Sequence, residues 1–185
     1  YPIYTTNFND QTFGDFTNQS DDDLDWTINS GGTASAGTGP SGDYPTGTDY
    51  YAYIEASGTS GYPSKTANLV GQFNLETNYT LLFAYHMWAA TAVEELGIYG
   101  GNTHGINGNF NPSDDQTFKV FVKYSETDNY TEIFSKTGNQ GNQWNNVSLN
   151  INAGETVFIK FSGTTSSDEA YQDASGNYIN AGGWQ

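Results

Sequence analysis

Thr117-Phe118-Lys119-Val120-Phe121-Val122-Lys123-Tyr124 reads as a β-strand with one face in a core. Phe118, Val120, Val122 and Tyr124 share one side, and Lys119 and Lys123 share the other. That period of two is the pattern of a half-buried strand. The same period recurs outward from this stretch. Tyr50-Tyr51-Ala52-Tyr53-Ile54-Glu55-Ala56-Ser57 puts Tyr50, Ala52, Ile54 and Ala56 on one face. Tyr79 to Trp88 is apolar on both faces and is expected to be a central strand. Further strands are expected at Thr66 to Leu75, Tyr130 to Lys136, Trp144 to Ile151 and Thr156 to Ser162, with Phe8 and Trp26 marking two early ones. Gly- and Asn-rich turns separate these runs, and no long helical periodicity is present. Seven or more short antiparallel strands with such turns predict an all-β chain, a jelly-roll β-sandwich of two antiparallel sheets. Residues Ala89 to Gln116 are the least regular part and are expected to form a long loop.

The 185 residues suit one domain with a substantial core. All five cations are lysines, set against 21 acidic residues, for a formal net charge of −16. Such a chain lacks the basic footprint that nucleic acid or an anionic membrane surface requires, so no nucleic acid and no membrane insertion are expected. No run approaches the ~20 apolar residues of a membrane span. Charged residues are only 14% of the chain and aromatics 16%, a balance that suits a secreted β-protein with a real core rather than a disordered one. With no cysteine, disulfides, thiolate metal sites and cysteine nucleophiles are all excluded.

The acidic residues are concentrated. Asp21-Asp22-Asp23-Leu24-Asp25-Trp26 places four carboxylates within five positions, with Ser41-Gly42-Asp43-Tyr44-Pro45-Thr46-Gly47 about twenty residues on. Clustered carboxylates repel unless a cation sits among them, and calcium prefers six to eight oxygen ligands. Asp10, Asp22, Asp23, Asp25 and Asp43 are therefore the candidate metal ligands, with calcium or sodium as the ion. The plainer alternative is a solvated acidic loop whose carboxylates serve as turn acceptors. Asp114-Asp115, beside Asn107, Asn109 and Asn111, is a second and looser oxygen-rich group.

Ordered motifs across the chain resemble the MAM domain family, named for meprin, A-5 protein and receptor tyrosine phosphatase mu. They are Phe8-Asn9-Asp10, Asp22-Asp23-Leu24-Asp25-Trp26-Thr27, Thr38-Gly39-Pro40-Ser41-Gly42-Asp43, Tyr50 to Ser57, Tyr85-His86-Met87, and Gly138-Asn139-Gln140-Gly141-Asn142-Gln143-Trp144. The resemblance implies one jelly-roll domain over residues 1–185. Its function would be that of a non-catalytic, calcium-stabilised adhesion or recognition module of a larger secreted or cell-surface protein, flanked by other domains. Three departures stand out: the absence of the family's paired cysteines, a long Ala89–Gln116 segment, and the lack of a closing Asp-Ile-Ala-like strand. The first leans toward a bacterial source. The last implies a final strand beyond the end of the chain or one supplied by a partner.

No catalytic set is evident. His86, between Tyr85 and Met87, is expected to be a packed structural histidine, and His104 to lie on a surface loop. Trp26 and Trp144 are expected to fill the core. Trp88, Tyr99, Phe110 and Trp184, with Tyr62, could instead form an exposed platform for sugar rings. That gives the alternative function: a carbohydrate-binding module attached to a polysaccharide-degrading enzyme. The expected partners are a protein or a glycan on a cell surface or in the extracellular matrix.

Overall fold

The computed structural model describes residues 4–33, 38–56, 61, 64–88 and 115–167, together with the backbone of 171–172 and 178–179. Among the described residues, eleven strands follow one another. They are β1 (Phe16–Asn18), β2 (Thr27–Ser30), β3 (Tyr50–Tyr53), β4 (Thr66–Leu75), β5 (Tyr79–Tyr85), β6 (Thr117–Lys123), β7 (Thr131–Thr137), β8 (Asn145–Ile151), β9 (Gly154–Thr164), β10 (Tyr171–Gln172) and β11 (Tyr178–Ile179). One layer is a five-stranded antiparallel sheet in the order β1-β4-β9-β6-β7. The other consists of two separate antiparallel ladders, β2-β3 and β5-β8. The short pair β10-β11 stands apart.

The alternation read from the sequence is what builds the core. Phe118, Val120 and Val122 are buried on β6, while Lys119 and Lys123 face outward. Val157 and Ile159 of β9 and Phe73 and Leu75 of β4 join them. The opposing layer contributes Phe83 and Tyr85 of β5. Phe83 meets the rings of Phe118, Phe134 and Phe161 edge-on at 6.0, 5.6 and 5.3 Å between centroids. Sheet-to-sheet packing thus rests on an aromatic lattice, whose pairs add to their simple area burial. On the outer face, lysines lie across rings: Lys160 over Phe121 and Tyr130, and Lys123 over Tyr130 and Phe158. Their alkyl stems cover apolar surface while the ammonium groups gain cation–π contact.

Four expectations need correction. Phe8 lies in a turn with φ of 63° rather than in a strand, and the first strand is Phe16–Asn18. β5 is no central strand. Its only ladder partner among the described residues is β8, and Leu82 on its outer side is 70% exposed. Both faces look apolar in sequence because Leu82 and Ala84 alternate with Leu81, Phe83 and Tyr85, but only the second set reaches the core. β3 leaves its ladder at Tyr53, although Ile54 and Ala56 are still buried beyond it. Trp26 and Trp144 are half-buried at the edge of the core rather than filling it, because each indole N–H must reach a backbone carbonyl: Ala67 at 3.1 Å and Gly42 at 3.0 Å. β4 follows the expected Thr66–Leu75 boundaries, and β7, β8 and β9 lie within two residues of expectation at each end.

Candidate functional site

The structure divides the acidic candidates between two places. Asp22 Oδ2 accepts the Asn68 N–H at 2.6 Å, and Asp23 Oδ2 accepts the Thr66 N–H at 3.0 Å. Asp23 also lies 3.9 Å from Lys65 Nζ. These two side chains dock their loop on the start of β4. Burial raises the Asp22 carboxyl pKa, and the Asn68 N–H only partly offsets this. Asp25 is exposed on the same loop. Asp10 is exposed in its own turn, where it accepts the Thr12 N–H at 3.0 Å and the Thr12 hydroxyl at 2.9 Å. Among the described residues, no group of three or more His, Cys, Asp or Glu side chains is placed to hold a metal ion.

Asp43 occupies a different corner and is only 7% exposed. Its Oδ1 accepts the Asp49 N–H at 2.8 Å, closing the 43–49 loop on itself. The Thr46 hydroxyl lies 2.9 and 3.2 Å from the two Asp43 oxygens and 3.2 Å from Asp49 Oδ2. One hydroxyl has one proton to donate, so two carboxylates converge where a single donor serves both. Asn9 Oδ1 accepts the Tyr50 N–H at 3.2 Å and brings the Asp10 turn beside this loop. Burial alone would raise the Asp43 pKa. The Asp49 N–H and the Thr46 hydroxyl outweigh that and hold the carboxyl below the usual range.

The sign of the pH effect follows. Asp43 contributes stability that is present above the unfolded carboxylate pKa of about 4 and is lost as pH falls through its lower folded value. Acid unfolding followed by circular dichroism should therefore be shallower in Asp43→Asn than in the unmodified protein. Equal slopes would contradict this role for Asp43.

The loop is tied to the second layer through Trp144, which begins the approach to β8. Its indole N–H donates to Gly42 O, and its ring meets Tyr44, Tyr51 and His86 at 6.4, 6.0 and 5.6 Å. The Asn146 amide donates to the Tyr44 hydroxyl at 3.1 Å. Tyr44 is 47% exposed and stands over the outer side of the β5-β8 ladder beside Leu82. Together with Ala84, Asn146, Val147 and Ser148 they line a shallow depression of 460 Å³. Gly42 is buried under this loop, and a Cβ there would run into the Gly47 backbone, with Gly47 C at 2.9 Å. Gly42→Ala should displace the loop and cost about 1–3 kcal/mol, read as a fall in thermal midpoint. An unchanged midpoint would show that the loop is not held this tightly.

Tyr44 and Leu82 were not among the aromatic candidates read from the sequence. The available signal was the alternation along β5, which puts Leu82 opposite the core-facing set. Of the named platform residues, Trp88 is half-buried, with its carbonyl accepting the Gly39 N–H at 3.1 Å. Tyr62, Tyr99, Phe110 and Trp184 lie outside the described residues, as do His104, Asp114, Asn107, Asn109 and Asn111. Asp115 accepts the Ser167 N–H at 3.1 Å and the Ser166 hydroxyl at 3.2 Å, a structural tie to the end of β9. His86 is buried, its Nε2 3.1 Å from Asn142 Oδ1. Burial holds its pKa below the ordinary value, against the raising effect of Asn142.

A family description, MAM domain, meprin/A5/mu, matches residues 6–174. The chain belongs to the MAM domain family. Among solved structures it is similar to the K1 cleaved adhesin domain of Lys-gingipain from Porphyromonas gingivalis W83. That similarity stands at 14% identity and a TM-score of 0.45, over 81% of this chain and 86% of that one. Membership in the MAM family implies an extracellular adhesion module, and MAM domains are non-catalytic. Among the described residues, no helix is long and apolar enough to cross a membrane.

Proposed function

We propose that this MAM domain recognises a protein partner through the outer side of its β5-β8 ladder, around Tyr44 and Leu82. The observation that carries this reading is the adjacency of two strongly exposed apolar side chains over one shallow depression. Exposed apolar groups set side by side and rimmed by polar ones such as Asn146 and Ser148 are the usual mark of a protein contact. A glycan reading draws on the same corner, since the Tyr44 ring could stack on a sugar while Asn146 orients it. The described residues offer one such exposed ring there rather than a pair, which favours protein. Arrays of extracellular-matrix proteins and of polysaccharides, probed in parallel, separate the two. Saturable binding to matrix proteins with blank polysaccharides supports the protein reading, and the reverse overturns it.

A structural cation would be held by the 43–49 loop rather than by the Asp21–Asp25 run. Asp43 and Asp49 supply two carboxylates around one hydroxyl, with Thr48 Oγ1 3.3 Å from Thr46 Oγ1. Asp22 and Asp23 turn an oxygen each to β4 amides, whereas the amide that Asp43 accepts belongs to its own loop. Calcium would supply the positive charge that this pair lacks. An ion bound only by the folded state raises the melting temperature by mass action, so chelation should lower it and calcium should restore it. A melting curve indifferent to chelator would remove the cation from this account.

A further inference from the structure

A buried histidine stands beside the 138–144 turn. His86 directly follows β5, and Tyr85, His86 and Met87 hold that turn from one side. Tyr85 pairs with Asn145, and Met87 O accepts the Gln140 N–H at 2.7 Å. The His86 side chain reaches the same turn, with Nε2 3.1 Å from Asn142 Oδ1 and the ring 5.6 Å from that of Trp144. Trp144 in turn donates to Gly42 O at 3.0 Å and so anchors the 42–49 loop.

The two ring nitrogens are unequal. Asn142 Oδ1 is an acceptor, so neutral His86 carries its hydrogen on Nε2 and a bare lone pair on Nδ1. Nδ1 is buried and meets no hydrogen-bond partner among the described residues. A bare lone pair is tolerable there. A charged N–H is not, because it would lie unpaired in a side chain that is only 9% exposed. The surrounding elements offer no free counter-charge. β8 and the 138–144 turn carry no charged residue. On the loop, Asp43 turns its oxygens to the Asp49 N–H and the Thr46 hydroxyl, and Asp49 meets the same hydroxyl. Lys136, before the turn, lies over the Phe134 ring. Tyr44 and Tyr51, which flank Trp144, and Tyr85 stay neutral at pH 7 and below. The Trp144 face offers an imidazolium cation–π contact, which offsets only part of the cost of a buried ion without a counter-charge.

We infer that His86 is an acid-operated latch: a proton gained at Nδ1 drives the ring out of its buried place, loosens Trp144 and frees the 42–49 loop that carries Tyr44. The consequence for binding rests on the recognition role proposed above, and the release of the loop does not. Burial already holds the His86 pKa below the ordinary value. The neutral ring therefore contributes stability that is present above the unfolded histidine pKa of about 6.5 and is lost as pH falls through the folded value. Asp43, held below the usual carboxylate range, stays ionised through that window.

The test is amide hydrogen exchange on the whole 185-residue chain, corrected for the intrinsic pH dependence of exchange. It compares about pH 7.5 with about pH 5, on either side of the unfolded value. On acidification, protection of the Gln140 and Asp49 amides should fall roughly tenfold or more, while β4, β6 and β9 change by less than about twofold. His86→Gln keeps a donor for Asn142 and takes up no proton, so the fall should vanish. Asn142→Asp sets a carboxylate against the imidazolium, so the fall should vanish there too with His86 still in place. A merely structural histidine would not be rescued in this way. If one variant fails to fold, the other decides, and the unmodified protein alone can refute the latch. Undiminished protection at the lower pH in the unmodified protein, or the same fall in either folded variant, would overturn the inference. Exchange needs no partner, so these outcomes are distinct from failure of the proposed function.

Discussion

Phe118→Ala should lower stability by about 3–5 kcal/mol, and the melting temperature by roughly 6–20 °C. Phe118 is buried near the start of β6, and its ring meets those of Trp26, Phe83, Tyr85, Phe134 and Phe161. These neighbours come from both layers, so truncation opens a cavity that no single element can collapse into. The loss exceeds simple transfer because the surrounding rings can relax into the space only partly. Calorimetry of the variant measures it directly. A loss below about 1 kcal/mol would mean that the aromatic lattice is not what joins the two layers.

The second large effect is expected at Asp43. Asp43→Ala removes the acceptor for the Asp49 N–H and the partner of Thr46 from a nearly closed environment. Leaving such donors unmet costs about 1–3 kcal/mol. The functional loss should be larger than the stability loss, because Tyr44 is the next residue and its placement depends on this loop. Asp43→Asn keeps a side-chain oxygen for the Asp49 N–H and should recover most of the stability. If a cation sits there, Asn will not recover the response to calcium. Equal behaviour of Ala and Asn in both readouts would remove the loop from any special role.

Much of the fold was legible because burial and period agree. β4 alternates along its whole length, and β6 carries lysine on one face and large apolar groups on the other, so element and face follow directly. β1 escaped because three residues cannot show a period, and Phe8 misled because an aromatic in a tight turn resembles an isolated strand residue. The site was harder to see. The donors that engage Asp22 and Asp23 are the Asn68 and Thr66 amides, 46 and 43 residues away, and no local pattern announces them. A run of carboxylates therefore looks like a cation site when its members act as acceptors for a distant strand. Tyr44 was quoted within a motif, but its exposure depends on Trp144 and Asn146, 100 and 102 residues on, which anchor its loop on β8. The family motifs were legible for a different reason. They lie largely in the turns and loop ties that set geometry, such as the Gly42–Trp144 bond.

The central claim is that the Tyr44–Leu82 corner makes the adhesive contact. It is tested most directly by titrating a matrix protein that binds the unmodified domain against Tyr44→Ala and Leu82→Ser. Both side chains are exposed, so each variant should keep its melting temperature within a few degrees. Losses of roughly 30-fold or more in affinity for either variant, at the scale of an interface hot spot, are the predicted result. Affinities unchanged in both well-folded variants would contradict the account and place the contact elsewhere on the molecule.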